Sequence, residues 1–414
     1  MKPLPDVQRT VLAAMPALPV LRVPIDEARG LVLARDVVAP HDVPPFDNTG
    51  MDGFALRSGD TTDAPVALRV VGELAAGSVP EAEVAPGTAV RIMTGAPLPP
   101  GADAVAEVEI TEPVGGQQVR ILRSVEAGRS LRPAGGDVRA GAVVFKAGER
   151  LGAHHLGVLA TIGVVEPMVC RRPRVAVLST GDEVVTPETQ TLSPGLIRDA
   201  NRPMLLAMLE ELGADGLDGG IVPDDPEALR SALSSAADAA DVLVTSGGVS
   251  MGERDLVKAI LAEIGVVDTW KVAMQPAKPF AFGRIGKTPV FGLPGNPVSV
   301  TVAFEQFVRP GLLHMMGARR LFRPRVGGVL AEEVSTNPEK AVFLRVALRR
   351  RGDVLEASPS GAQESNVLSA LARADAFAVV PVGTGDLPAG APVELELFRS
   401  PEGRTAEEVL GWKG

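Results

Sequence analysis

The chain has 414 residues, enough for roughly two to four domains. A net charge of −10, with two Trp and no Tyr, excludes an extended nucleic-acid surface, because phosphates need clustered Lys and Arg and bases need aromatic platforms. A single cysteine excludes an internal disulfide framework. No apolar run approaches the roughly 20 residues that span a bilayer, and Pro16 and Pro19 interrupt the apolar stretch over 11–21, so the expected location is the cytoplasm.

In chain order, residues 1–44 form a first region. Residues 45–141 read as short strands, among them 66–71 and 88–92, separated by Gly and Pro turns such as Val114-Gly115-Gly116-Gln117. A helix is expected over 152–162, with Gly163 as its stop. His154 and His155 within it are adjacent and lack zinc-ligand spacing, and Cys170 reads as a small buried hydrophobe. Residues 171–320 alternate strand and helix. Strands are expected over 175–178, ending at 221–222, over 242–245 and over 289–293. The helices fall at 202–212, 226–239, 256–264 and 298–308. Asp225 is the natural N-cap of the second helix, with Pro226 in its first position. This alternation predicts a doubly wound, mostly parallel sheet. Residues 321–400 return to short strands, with a hairpin turn at Arg350-Arg351-Gly352-Asp353, and read as a small β-barrel or sandwich. A tail, 401–414, carries a short helix over 405–410.

Ligands of an open α/β sheet sit beyond the carboxyl ends of its strands. Four loops occupy that place: 179–183, 223–225, 246–252 and 294–297. In the third, main-chain N–H groups of Gly247 and Gly248 and the hydroxyls of Ser246 and Ser250 form an expected anion cradle. In the fourth, Pro294 and Pro297 fix the backbone around Gly295, and Asn296 either caps the following helix or contacts a ligand. Glu183, Asp224 and Asp255 stand beside these loops. Asp255 falls in a helix's first turn, and Asp224 is left without a capping task. Several carboxylates beside an anion cradle suit Mg²⁺. Lys271 and Lys278 flank a proline turn and offer phosphate or oxyanion contacts. In the second region, Asp52 precedes Gly53, and Thr94 ends the strand that begins near Thr88; each is compatible with a plain turn role.

The segments PPFDNTGMDGFA, RIMTGAPLPPGADAV, GGDVRAG, VLSTGDEVV, SGGVSMGERD and GLPGNPVS, in this order, resemble the molybdopterin molybdenumtransferases, a family related to the gephyrin E domain. The resemblance runs from about residue 5 to about residue 398. It implies four parts: a molybdopterin-binding α/β domain (171–320), an inserted β-rich domain (45–141), an elongated N-terminal linking domain (1–44 with 142–170) and a C-terminal β-barrel (321–400). It also implies a homodimer whose site lies between the α/β and barrel domains of one subunit and the inserted domain of the other. The implied reaction inserts molybdate into adenylyl-molybdopterin and releases AMP with Mg²⁺, alongside other molybdenum cofactor biosynthesis proteins.

Carried over by position, the family's acids fall on Asp52, Asp137, Glu183, Asp224 and Asp255, its threonine on Thr94, its basic contacts on Arg132, Lys271, Lys278 and Arg345, and its barrel serine on Ser365. Asp224 and Asp255 would hold the metal, and Glu183 or Asp52 would orient the nucleophile. Gln275 stands where many members carry lysine, and Ala277 where glycine is common. A related pterin adenylyltransferase or nucleotide hydrolase, or a non-catalytic scaffold, is the alternative.

Overall fold

The computed structural model describes residues 1–247 and 256–398. Gly248, Ser250, Asp255 and the 401–414 tail, all included in the sequence reading, lie outside these residues.

The chain begins with the helix Leu4–Ala14. Val20–Arg22 and Val32–Leu33 then pair with Met168–Cys170, and Val37–Val38 pairs with Val143–Phe145. The chain thus leaves near residue 44 and returns near 142. Cys170 is buried, as its apolar surroundings suggested.

The excursion forms a six-stranded sheet in the order Ala104–Glu107, Gly53–Leu56, Thr88–Ile92, Val66–Leu74, Gln118–Ile121, Thr111–Gly115. Alternation sorts its side chains. Leu56, Ala89 and Ala104 enter one cluster with Leu68 and Ile121, whereas their neighbours Ala55, Val90 and Val105 enter another with Ile92 and Leu74.

The α/β part has the sheet order Asp215–Val222, Arg174–Thr180, Val242–Ser246, Thr288–Leu293, then Pro279–Ile285 and Val266–Lys271. The first four strands are parallel and the last two antiparallel. Val175 and Val177 face Leu205 and Leu209 of the helix Asn201–Leu212. Ala176 and Leu178 face Leu229 and Leu233 of the helix Pro226–Ala239, together with Ile260 and Leu261 of Leu256–Ile264. Helices therefore cover both faces, as the sequence predicts. The two antiparallel strands were not foreseen: the lysine segment was read for its charges, while Trp270, Phe280 and Phe282 give those strands their buried positions.

The expected 298–308 helix runs further, as Pro297–Ala303, a π turn Phe304–Val308 and Arg309–Met315. Nearly every side chain along it is buried, which places it in the core rather than on a surface. Pro310 has no N–H to give Gln306 O, and the Gln8 side-chain amide donates to that carbonyl instead (3.3 Å). Beside it, Glu305 bonds Arg323 (2.8 Å), and the Gln306 amide donates to Glu396 (2.6 Å), which pairs with Arg325 (3.0 Å). These buried ionic contacts fasten the helix to the final part.

That part is a closed barrel and not a sandwich. Ala341–Arg351, Val354–Pro359, Arg325–Leu330, Pro392–Leu397 and Ala376–Val380 pair in a ring, because Ala376–Val380 returns to Ala341–Arg351. Leu330, Leu344, Val346 and Leu395 fill it. No helix among the described residues is long and apolar enough to cross a membrane.

Candidate functional site

The strand Arg174–Thr180 delivers the loop that carries Asp182 and Glu183. Gly181 has φ +131°, and a Cβ there would sit 2.5 Å from Glu183 Oε2, so only glycine lets that carboxylate fold back over the turn. Asp182 accepts a hydrogen bond from Asp224 N (3.0 Å). Burial pushes the Asp224 carboxyl above its ordinary range, and the charges of Asp182 and Glu183 push it further. Asp225 caps its helix through Glu227 N and Ala228 N, as expected, which leaves Asp224 to the acidic corner. Asp182 was not singled out from the sequence. Its signal was its place in the loop beside Glu183.

The next loop departs from expectation. Gly247 has φ +95°, and a Cβ there would meet Thr180 O at 2.8 Å. The glycine is required by this close approach, and its N–H donates to Leu293 O (3.2 Å). That N–H is therefore not free to cradle an anion. Ser246 is buried in its strand beside Ser179 and Leu293. Thr180 Oγ1, Thr245 Oγ1 and Asn201 Oδ1 are buried and lack hydrogen-bond partners among the described residues. They are polar atoms gathered where the parallel strands end and the helix Asn201–Leu212 begins.

The 294–297 loop is held from both domains. Asn201 Nδ2 donates to Gly295 O (2.6 Å). Asn296 does not cap the helix with its side chain; its amide donates to Ser365 Oγ (2.8 Å). Val298 N, an amide of the helix's first turn, donates to Ser365 O (3.1 Å). Ser365 thus sits against the α/β loop. Arg345 departs from its expected place at an oxyanion. It is fully buried, and its guanidinium donates to Ala362 O (2.8 Å) and Glu364 O (3.2 Å). Lys271 and Lys278 are exposed and meet at one end of a hairpin, where Lys271 is in register with Pro279 and Val272 N donates to Lys278 O.

On the inserted sheet, Asp52 Oδ1 accepts from both Thr94 N and Thr94 Oγ1 (2.7 Å each). The main-chain N–H, then the hydroxyl, hold the Asp52 carboxyl below its usual range, and Arg91 adds to the pull. Arg132 lies across Gly50, with its Nε 3.2 Å from where a Cβ would stand. Asp137 is exposed, and its N–H donates to Val43 O (2.9 Å). Among the described residues no hydrogen bond or ion pair joins 45–141 to 171–398.

Three family descriptions match in sequence: "MoeA N-terminal region (domain I and II)" over residues 2–163, "Probable molybdopterin binding domain" over 176–314 and "MoeA C-terminal region (domain IV)" over 328–398. Molybdopterin molybdenumtransferase 2 of Mycobacterium tuberculosis is 38% identical over 406 residues, covering 95% of this chain and 99% of that protein. The chain belongs to the molybdopterin molybdenumtransferase family. The Haemophilus influenzae molybdopterin molybdenumtransferase is 36% identical over 380 residues, 90% of this chain and 93% of that protein. The crystal structure of the molybdopterin biosynthesis MoeA protein from Pyrococcus horikosii, 34% identical, superimposes with a TM-score of 0.78 over 96% of this chain and 99% of that one.

For this member of the molybdopterin molybdenumtransferases, the acidic corner has the donor chemistry Mg²⁺ takes: carboxylate oxygens crowded by like charge, to be completed by phosphate and water. Among the described residues no three acid, His or Cys side chains are already grouped to hold a metal. Two cavities, of about 830 and 770 Å³, are lined by none of the expected site residues.

Proposed function

We propose that this chain inserts molybdate into adenylyl-molybdopterin and releases AMP, and that it does so in the cytoplasm as a homodimer. The observation that carries the reading is the acidic corner of Asp182, Glu183 and Asp224 at the carboxyl ends of parallel strands, beside buried polar atoms that lack partners among the described residues. The Asp52–Thr94–Arg132 group is built just as definitely but shares no hydrogen bond or ion pair with that corner among the described residues. A second subunit that presents its inserted domain to the α/β loops joins the two halves.

The substrate is polyanionic, so charge neutralisation and placement dominate. Lys271 and Lys278, together at one hairpin end, screen molybdate and phosphate oxygens, and the partner's inserted domain brings Arg132. Asp224 and Asp255 would hold Mg²⁺, which when bound neutralises phosphoanhydride charge. Glu183, folded over Gly181, orients a water whose oxygen forms a new P–O bond as the bridging P–O bond of the phosphoanhydride breaks, so AMP leaves and the pterin phosphate is freed; molybdate exchanges oxygen, lost as water with the dithiol protons, for the two dithiolene sulfurs. Asp52, held charged by two hydrogen bonds, serves as an acceptor that fixes Thr94 rather than as a proton acceptor. With Gly247 N–H committed to Leu293, the phosphate rests on side-chain cations and on the 294–297 loop.

The test is incubation of the purified chain with adenylyl-molybdopterin and Mg²⁺, with and without molybdate. AMP release that depends on molybdate, with molybdenum retained on the pterin, supports insertion. ATP consumption in place of AMP release would assign a pterin adenylyltransferase, and no turnover at all would leave a scaffold.

A further inference from the structure

The barrel strand Val354–Pro359 pairs with Ala341–Arg351 only as far as Val346↔Pro359. Beyond that point Arg345 N would lose its partner on that side, in a residue with no exposure. Ser360 N and Oγ still donate to Arg345 O (3.0 and 3.1 Å), and the side chain of Gln363 supplies the acceptor that Arg345 N lacks. Its Oε1 accepts from Arg345 N (2.9 Å), and its Nε2 donates to Arg345 O (3.1 Å) and Gly361 O (2.8 Å). The amide thereby copies the paired donor and acceptor of a neighbouring strand. The Arg345 guanidinium answers by holding Ala362 O and Glu364 O, on either side of Gln363. This short loop is locked from both directions, and it ends on Ser365, which receives Asn296 Nδ2 and Val298 N from the α/β domain.

We propose that Gln363 is a positioning residue for the reaction, the side chain through which the barrel sets the 294–297 ligand loop. The inference rests on the function proposed above. Gln363 touches no reacting atom; it fixes the loop backbone, so that Ser365 meets the first turn of the helix at one distance and holds Asn296 away from a capping role. Removing its amide frees the loop beyond Gly361 while leaving the barrel strands, whose last main-chain bond on this side is Ser360 N to Arg345 O, intact.

The test uses the full chain with Gln363→Met, which keeps length and loses every hydrogen bond, and Gln363→Glu, which keeps only the acceptor for Arg345 N. Amide exchange without substrate is the first readout. Val298 N–H should exchange about tenfold faster in the Met variant, while amides of Val242–Ser246 stay unchanged. In the AMP-release assay, KM for adenylyl-molybdopterin should rise about tenfold with kcat changed by less than about threefold, and the Glu variant should fall between. Wild-type exchange at Val298 in the Met variant would overturn the proposal. So would faster exchange throughout the central strands, which would mark a purely structural residue. A Val298 effect beside a wild type that releases no AMP supports the lock and overturns the functional reading instead.

Discussion

Gly247 and Asp52 are each set by one neighbouring residue, Thr180 and Thr94. At Gly247, φ +95° and the 2.8 Å approach to Thr180 O leave no room for a methyl group, and the obstacle is main chain, which cannot rotate aside. Gly247→Ala should cost about 1–3 kcal/mol, read as a lower urea midpoint at unchanged slope. An unshifted midpoint would refute the contact. At Asp52, Thr94→Val removes the hydroxyl but keeps the N–H, so the carboxyl should move up towards its ordinary range without reaching it. An NMR titration of the Asp52 carboxyl in wild type and variant measures this, and molybdate-dependent AMP release should fall about tenfold with the loss of the hydroxyl. Coincident titration curves would show that the hydroxyl does nothing for Asp52.

At the scale of elements, the strands and helices that carry the loops are pinned by an ion pair at their far end and by a cap within the site loop itself. Asp241, between the helix Pro226–Ala239 and the strand Val242–Ser246, accepts two hydrogen bonds from Arg171 (2.6 Å each) and one from Arg174 N (2.8 Å). Burial pushes its carboxyl up, but Arg171 and Arg174 N–H outweigh burial and hold it below 3.8. Because the folded value is the lower one, the stability it contributes is present above 3.8 and is lost as pH falls through the folded value. Asp241→Asn should therefore destabilise by about 1–3 kcal/mol at neutral pH, with the gap to wild type closing in acid. A gap independent of pH would contradict the ion pair's role. Asp225→Ala should cost about 1 kcal/mol through the lost cap, measured by thermal unfolding, without moving Asp224. The loops themselves were legible because each follows a strand end, and those at 223–225 and 294–297 lead directly into a helix. The strands Val266–Lys271 and Pro279–Ile285 were not, because the second is placed by pairing with Thr288–Leu293 and the first only by pairing with the second, and not by a strict local alternation.

At the scale of the molecule, the candidate site is divided between two parts of the chain that make no bond to each other among the described residues. The proposed dimer gives a direct expectation. Asp52→Ala, which takes the acceptor from Thr94, and Asp224→Ala should each cut AMP release at least about tenfold. Co-expressed one to one, they should restore about a quarter of wild-type activity, because half the dimers are mixed and each mixed dimer rebuilds one of its two sites. A co-expressed mixture as inactive as its parents would place the whole site in one chain.

What the sequence by itself determined are the features that depend on near neighbours: the alternation of strand and helix over 171–320, the Asp225-Pro226 helix start, and the glycine and acid loops at strand ends. Only the tertiary structure decided which polar groups remain available. Gly247 N–H is taken by Leu293, Arg345 is buried against the loop that ends in Ser365, and Asn296 turns to the barrel instead of its own helix. The reason is physical: a buried donor must find an acceptor, and for these groups the acceptor lies in a segment that is distant in sequence and brought near only by sheet pairing and domain packing.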